Sequence, residues 1–172
     1  MDNFAEQLVK KEENSSNKLK KIIVYILGIL VTLILVFVSF INLGNIFSMV
    51  GLLLAAAAGY GTYFLAQSLY VEYEYSFTNG ELDVDKIIAK KKRVQMVVVD
   101  VKKVTAFGKY SENMAETDEM TVVLSSDNIA SHEYYADFQH DEYGATRLIF
   151  SPNEKMLEYI GKALPRNLRN SY

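Results

Sequence analysis

From Ile22 to Val71 the chain carries no Asp, Glu, Lys or Arg. No other feature restricts the fold as strongly. Two apolar stretches lie inside it, IIVYILGILVTLILVFVSFI over 22–41 and IFSMVGLLLAAAAGYGTYFLAQ over 46–67. A transmembrane helix needs about 20 apolar residues to cross about 30 Å of hydrocarbon. Between the two stretches Asn42-Leu43-Gly44-Asn45 makes a short polar break of turn-forming residues. The spacing predicts a membrane α-helical hairpin over 22–68. A cleaved signal peptide does not fit. The apolar core is too long, a polar leader with Glu6, Glu12 and Glu13 precedes it, and a second span follows.

Cations set the orientation. Lys10, Lys11, Lys18, Lys20 and Lys21 precede the first span, and Lys86, Lys90, Lys91, Lys92 and Arg93 follow the second. The connecting loop has none, so both termini are expected in the cytoplasm. Tyr60, Tyr63, Phe64 and Tyr70 then sit toward the inner interface. Residues 1–21 read as a solvated cytoplasmic leader. Phe4, Leu8 and Val9 share one side of a short helical pattern, which makes an interfacial helix the alternative. Gly51, Ala55 and Gly59 recur every fourth residue and give the second span a face that another helix can approach closely. Its expected partner is the first span, where Gly28 and Ser39 are the small residues, with homodimerisation as the alternative.

Beyond the spans the pattern changes to period two. Val71, Tyr73, Tyr75 and Phe77 alternate with Glu72, Glu74 and Ser76, as in a half-buried strand. Asn79-Gly80 is a strong hairpin signal, because both residues accept positive φ. Leu82 and Val84 alternate with Glu81, Asp83 and Asp85 on the returning strand, and 94–101 reads as a third. Ser111 to Glu119 is a polar loop. Further strand signals lie at 120–124, 134–138 and 146–150. Ser151-Pro152-Asn153-Glu154 reads as a capping box with Ser151 as N-cap. The helix that follows carries Met156, Leu157, Ile160 and Leu164 on one stripe and stops at Pro165. Residues 166–172 read as a loose tail. The expected domain over 70–165 is α+β: six or seven antiparallel strands in a bent sheet or open barrel, capped by a C-terminal helix.

SFTNGELDVDKI and RVQMVVVDVKKVTAF resemble the opening strands of bacterial pleckstrin-homology-like domains, which often follow a pair of transmembrane helices. Over the whole chain, FAEQLVKK, EYEYSFTNGELDVDKIIA, AFGKY and SPNEKMLE are similar to a family of small Gram-positive bacterial membrane proteins. That family is a domain of unknown function, so the resemblance implies an architecture and the bacterial cell membrane, and no reaction.

The charged residues supply the functional expectations. A strand of seven residues climbs roughly 23 Å, and the hairpin then returns Lys90, Lys91, Lys92 and Arg93 to about membrane height. Each cation near an anionic leaflet contributes on the order of 1 kcal/mol. This run is the expected lipid-surface contact, and a solvated hairpin end is the alternative. His132 and His140 each neighbour an acid but lack a third ligand, so no metal site is expected. Glu72, Glu74, Asp83 and Asp85 are expected on a solvated strand face. Ser125-Ser126 has no His–Asp pattern around it that would make a nucleophile. With a net charge of −3 the chain lacks the basic excess of nucleic-acid binders. Having no Cys, it forms no disulfide or thiolate site. The expected role is a non-catalytic, membrane-tethered interaction or regulatory module without a cofactor. Its partners would be the bilayer, anionic headgroups, and a protein partner or second copy. An accessory subunit held through Gly51, Ala55 and Gly59 is the alternative, and a small membrane enzyme comes third.

Overall fold

The computed structural model describes residues 3–10, 15–111, 113–114, 120–127 and 132–169, with side chains from 18 onward in the first helix. Most of the polar loop read at 111–119, and tail residues 170–172, lie outside the described residues. The chain divides into two compact units, Glu13–Tyr70 and Met1–Glu12 with Val71–Tyr172.

The helical unit consists of α1 (Ser15–Ile41) and α2 (Ile46–Ser68). Its apolar stretches of 24 and 23 residues are long and apolar enough to cross a membrane. Large apolar side chains stand exposed along both helices, Phe37 at 66% and Leu53 at 71%. Such contiguous apolar surface is rare on monomeric soluble proteins. At the open end of the hairpin the Lys21 ammonium lies 4.6 Å from the Tyr70 ring centroid.

The second unit holds two four-stranded sheets and α3 (Glu154–Ala163). The first sheet has the order β1 (Phe4–Lys10), β2 (Val71–Thr78), β3 (Glu81–Ile88) and β4 (Lys92–Asp100), all antiparallel. The second has the order β5 (Ala106–Lys109), β7 (Tyr134–His140), β8 (Gly144–Phe150) and β6 (Thr121–Leu124). There are thus eight strands in two sheets among the described residues, rather than six or seven in one. One pair, β6 with β8, is parallel.

The additional strand is β1, where the sequence suggested a solvated leader or interfacial helix. In a strand, Ala5 and Val9 are buried, while Phe4, Glu6, Leu8 and Lys10 are exposed. Helical spacing on so short a segment was outweighed by pairing along all of β2, from Phe4↔Thr78 to Lys10↔Glu72. Gln7 ties the strand down further. Its Nε2 donates to the Ser151 carbonyl at 2.9 Å, and its Oε1 accepts from the Asn153 N–H at 2.8 Å.

The core joins both sheets to α3. Tyr75, Phe77, Leu82, Val84, Leu148, Phe150, Met156 and Ile160 are all essentially inaccessible. Tyr75 meets Phe150 edge-on at 5.7 Å between centroids, and Phe77 stacks on Tyr159 of α3 at 6.0 Å. The α3 stripe is buried at Met156, Ile160 and Leu164. Its cap lies two residues later than expected. Asn153 Oδ1 accepts from the Met156 N–H at 2.8 Å, as an N-cap does. Ser151 is buried and committed elsewhere, its hydroxyl donating to Asp127 Oδ1 at 2.7 Å. The described part of the tail is also held. Arg169 donates from Nε to the Leu164 carbonyl and from Nη2 to the Lys162 carbonyl, at 2.9 and 2.8 Å. These are orphan acceptors at a helix end, and a cation suits them.

Candidate functional site

The hairpin β3–β4 turns at Ala89 and Lys90, with φ of 55° and 57°. The Lys91 N–H donates to the Ile88 carbonyl at 3.1 Å. Two central residues at positive φ mark the hairpin turn that normally calls for Asn and Gly. Neither Ala nor Lys suits it, and left-handed conformation costs an L-residue roughly 1–2 kcal/mol. The register sets Ile88 opposite both Val71 and Lys92, so the turn lies at the end of the sheet where β2 begins. Lys10 pairs with Glu72, so β1 finishes at that same end. Leu69 and Tyr70 alone separate α2 from β2, and α1 begins at Ser15. Both chain connections to the helical unit and the basic turn therefore share one end of the first sheet. Lys90, Lys91, Lys92 and Arg93 are all exposed there.

Arg93 differs from the three lysines. Its Nη2 forms an ion pair with Glu74 Oε2, and its Nε lies 3.6 Å from Asp85 Oδ2. Glu74 and Asp85 are directly opposed on β2 and β3. They belong to a face that also carries Glu6 and Lys10 from β1, Glu72 from β2, Asp83 from β3, and Gln95 from β4. The expectation of a solvated carboxylate face fails at two positions, because Glu72 and Glu74 are 5% and 9% exposed. Sequence alternation assigned the face and could not report how tightly neighbouring side chains close over it. Burial pushes the Glu74 carboxyl above its ordinary range, and a hydrogen bond from Glu6 adds to this while Arg93 opposes it. Asp85 is raised as well, first by burial and then by the Asp83 charge.

A bulge shapes this corner. Val84 pairs with Val97 but Asp85 pairs with Gln95, leaving Met96 as an extra residue. The bulge turns Gln95 onto the acidic face, where its Nε2 reaches Asp83 Oδ1 at 3.2 Å. No residue pattern in β4 signalled it.

Sequence reading also missed a Ser–Asp–His grouping. Ser151 Oγ bonds Asp127 Oδ1 at 2.7 Å, and His132 Nδ1 lies 3.8 Å from Asp127 Oδ2. The order is wrong for nucleophile activation, which needs the imidazole between hydroxyl and carboxylate. Here Asp127 occupies the middle and Ser151 is buried. The grouping continues a seam between the sheets, in which the buried Tyr75 hydroxyl donates to the Ser125 carbonyl and accepts from the Ser151 N–H. Burial raises the Tyr75 phenol well above its usual range, so it serves as a neutral hydrogen-bonding post.

His140 has a local role. Its Nδ1 accepts from the N–H groups of Glu142 and Tyr143, and its ring stacks on Tyr143 at 4.6 Å. It closes the β7–β8 turn, whereas His132 precedes the other end of β7. The two do not meet. Among the described residues no group of three or more His, Asp or Glu is placed to hold a metal ion.

In the helical unit, Gly51 and Ala55 face the α1–α2 seam. A Cβ on Gly51 would lie 2.1 Å from Ser39 Oγ, and one on Gly28 would lie 2.1 Å from Thr62 Oγ1. Ala55 and Ser39 are buried. Gly59 departs from the expected stripe, since nothing lies within 4 Å of where its Cβ would be. A period of four drifts around a 3.6-residue helix. Gly59 lines an apolar cavity of about 280 Å³ with Tyr25, Gly28, Ile29, Thr32, Leu33, Thr62 and Tyr63.

No curated protein and no solved structure matches this chain. One protein-family model does, and it matches residues 1–170, so that it takes in the first strand and both apolar helices as well as the sheets. On that match the chain belongs to DUF6106, the bacterial PH-like domain family.

Proposed function

We propose that this protein is a non-catalytic, membrane-tethered interaction module. In this reading α1 and α2 cross the bacterial cell membrane, both termini are cytoplasmic, and the PH-like domain meets anionic headgroups through the turn at Lys90, Lys91 and Lys92. The observation that carries the reading is the turn itself. Two residues poorly suited to positive φ hold a cluster of cations at the end of the sheet from which both helix connections leave. Strain retained at one site is a pointer to function. The exposed apolar flanks of both helices support insertion, and cations at the open end of the hairpin support the orientation. Arg93 is withheld from the contact set by its pairing with Glu74.

The test is hydrogen exchange on full-length protein in nanodiscs. Slower exchange at Ile88–Arg93 is expected in phosphatidylglycerol discs than in phosphatidylcholine discs, and replacing Lys90, Lys91 and Lys92 by Gln should remove the difference. Equal exchange in both discs would sink the lipid-contact reading.

The cavity beside Gly59 favours a second reading, an accessory subunit of a larger membrane complex. A side chain from another span would fill it, since open apolar space between helices invites packing. Gly59→Leu should then release a co-purifying membrane partner while leaving insertion unchanged. Retention of every partner would remove this alternative. An enzyme stands third, because the Ser151–Asp127–His132 order provides no activated nucleophile.

A further inference from the structure

We infer that the carboxylate row at Glu74 and Asp85 is an internal counter-ion for the basic turn, one that holds Arg93 at neutral pH and yields it to anionic lipid on acidification. This rests on the lipid-contact reading above and adds its regulation. The geometry sets the two uses of Arg93 in competition. Its guanidinium is ion-paired to Glu74 and lies 3.6 Å from Asp85, while its side chain remains 60% exposed. A planar guanidinium suits carboxylate and phosphate alike, so headgroup phosphate and the Glu74 carboxylate compete for one fork.

The balance of charge on the face favours release by protons. Glu6, Glu72, Glu74, Asp83 and Asp85 share it with Lys10 and Arg93, and Lys10 is registered opposite Glu72. Like charges directly opposed across strands repel, and Glu74 faces Asp85 in that way. Protonating either one relieves the repulsion and loosens the hold on Arg93 together. Both carboxyls are already displaced toward the neutral form, chiefly by burial. Releasing one cation to an anionic surface strengthens contact by about five-fold.

The experiment uses full-length protein with a bimane on Val94→Cys, a unique label because the chain has no Cys. It is read in nanodiscs containing nitroxide-headgroup lipid. Phosphatidylglycerol keeps its charge from pH 7.5 down to the ordinary Glu value of 4.5, so changes over that range belong to the protein. Wild type should show more quenching as pH falls in phosphatidylglycerol discs, and none of this change in phosphatidylcholine discs. Glu74→Gln/Asp85→Asn should reach the acid level already at pH 7.5 and stay flat. Arg93→Gln should stay flat at the low level, and near-ultraviolet circular dichroism of both variants checks that each is folded. If both variants titrate like wild type, the counter-ion inference is overturned while the lipid reading stands. If quenching never depends on phosphatidylglycerol, both fall.

Discussion

The two turns of the first sheet make an instructive pair. Asn79-Gly80 and Ala89-Lys90 sit at opposite ends of β3, and both reverse the chain with two residues at positive φ. The first uses the residues that such a turn requires. Gly80 has φ of 104°, and a Cβ there would lie 3.3 Å from Lys102 Cε. The second places an alanine and a lysine where Asn and Gly would be relaxed. The same backbone problem is thus solved once with relaxed residues and once with strained ones. The relaxed turn lies away from the helix connections and the strained one lies beside them.

That contrast can be broken most severely at the relaxed turn. Changing Asn79-Gly80 to Ala-Lys should destabilise the domain by about 1–2 kcal/mol or more, since Lys replaces the glycine at φ of 104° and Ala replaces an Asn that tolerates positive φ. Thermal unfolding in detergent, followed by near-ultraviolet circular dichroism, would show it. The reverse exchange, Ala89-Lys90 to Asn-Gly, should stabilise by about 1–2 kcal/mol by removing the strain. It should also weaken phosphatidylglycerol contact through the loss of Lys90. Stabilisation with contact unchanged would mean that Lys90 does not take part.

The acidic row sharpens the comparison through pH. Folded-state values for Glu74 and Asp85 are raised, so the folded state binds protons more readily than the unfolded chain. Their favourable contribution is present below the ordinary values of 4.5 and 3.8 and is lost as pH rises through the raised values. Stability from this pair should therefore fall as pH rises above the ordinary values, and Glu74→Gln should flatten that part of the profile. A denaturation series across pH would read it directly. The smallest effect is expected at Lys91→Gln/Lys92→Gln. Both positions are exposed, so unfolding stability should change by less than about 0.5 kcal/mol, while hydrogen exchange at the turn becomes less sensitive to phosphatidylglycerol.

Much of the fold was legible because it rests on short-range pattern. The two apolar helices, the Asn79-Gly80 hairpin, the period-two runs of β2 and β3 and the α3 stripe all declare themselves within a few residues. Pairing between distant segments left weaker marks. FAEQLVK has seven residues and an ambiguous period, and only β2, more than sixty residues later, selects the strand. The cap at Asn153 was hidden because Ser151 is an equally good capping residue until Asp127 claims it. The cations of the basic turn were evident from composition, whereas its strain, its position at the connected end and the diversion of Arg93 to Glu74 depend on the folded backbone. So does the separation of Gly59 from Gly51 and Ala55, which depends on how the helices cross.

The pairing of β1 with β2 makes the helical hairpin an insertion within the folded domain. Its two helices are attached to neighbouring antiparallel strands at the Lys10–Glu72 end. A force that spreads α1 from α2 would load these two strands at the same end, and their hydrogen bonds would open one after another, as a zipper does. Load applied in shear would have to break them together. The first sheet therefore resists lateral separation of the helices only one rung at a time, and β1 would be the first element to leave.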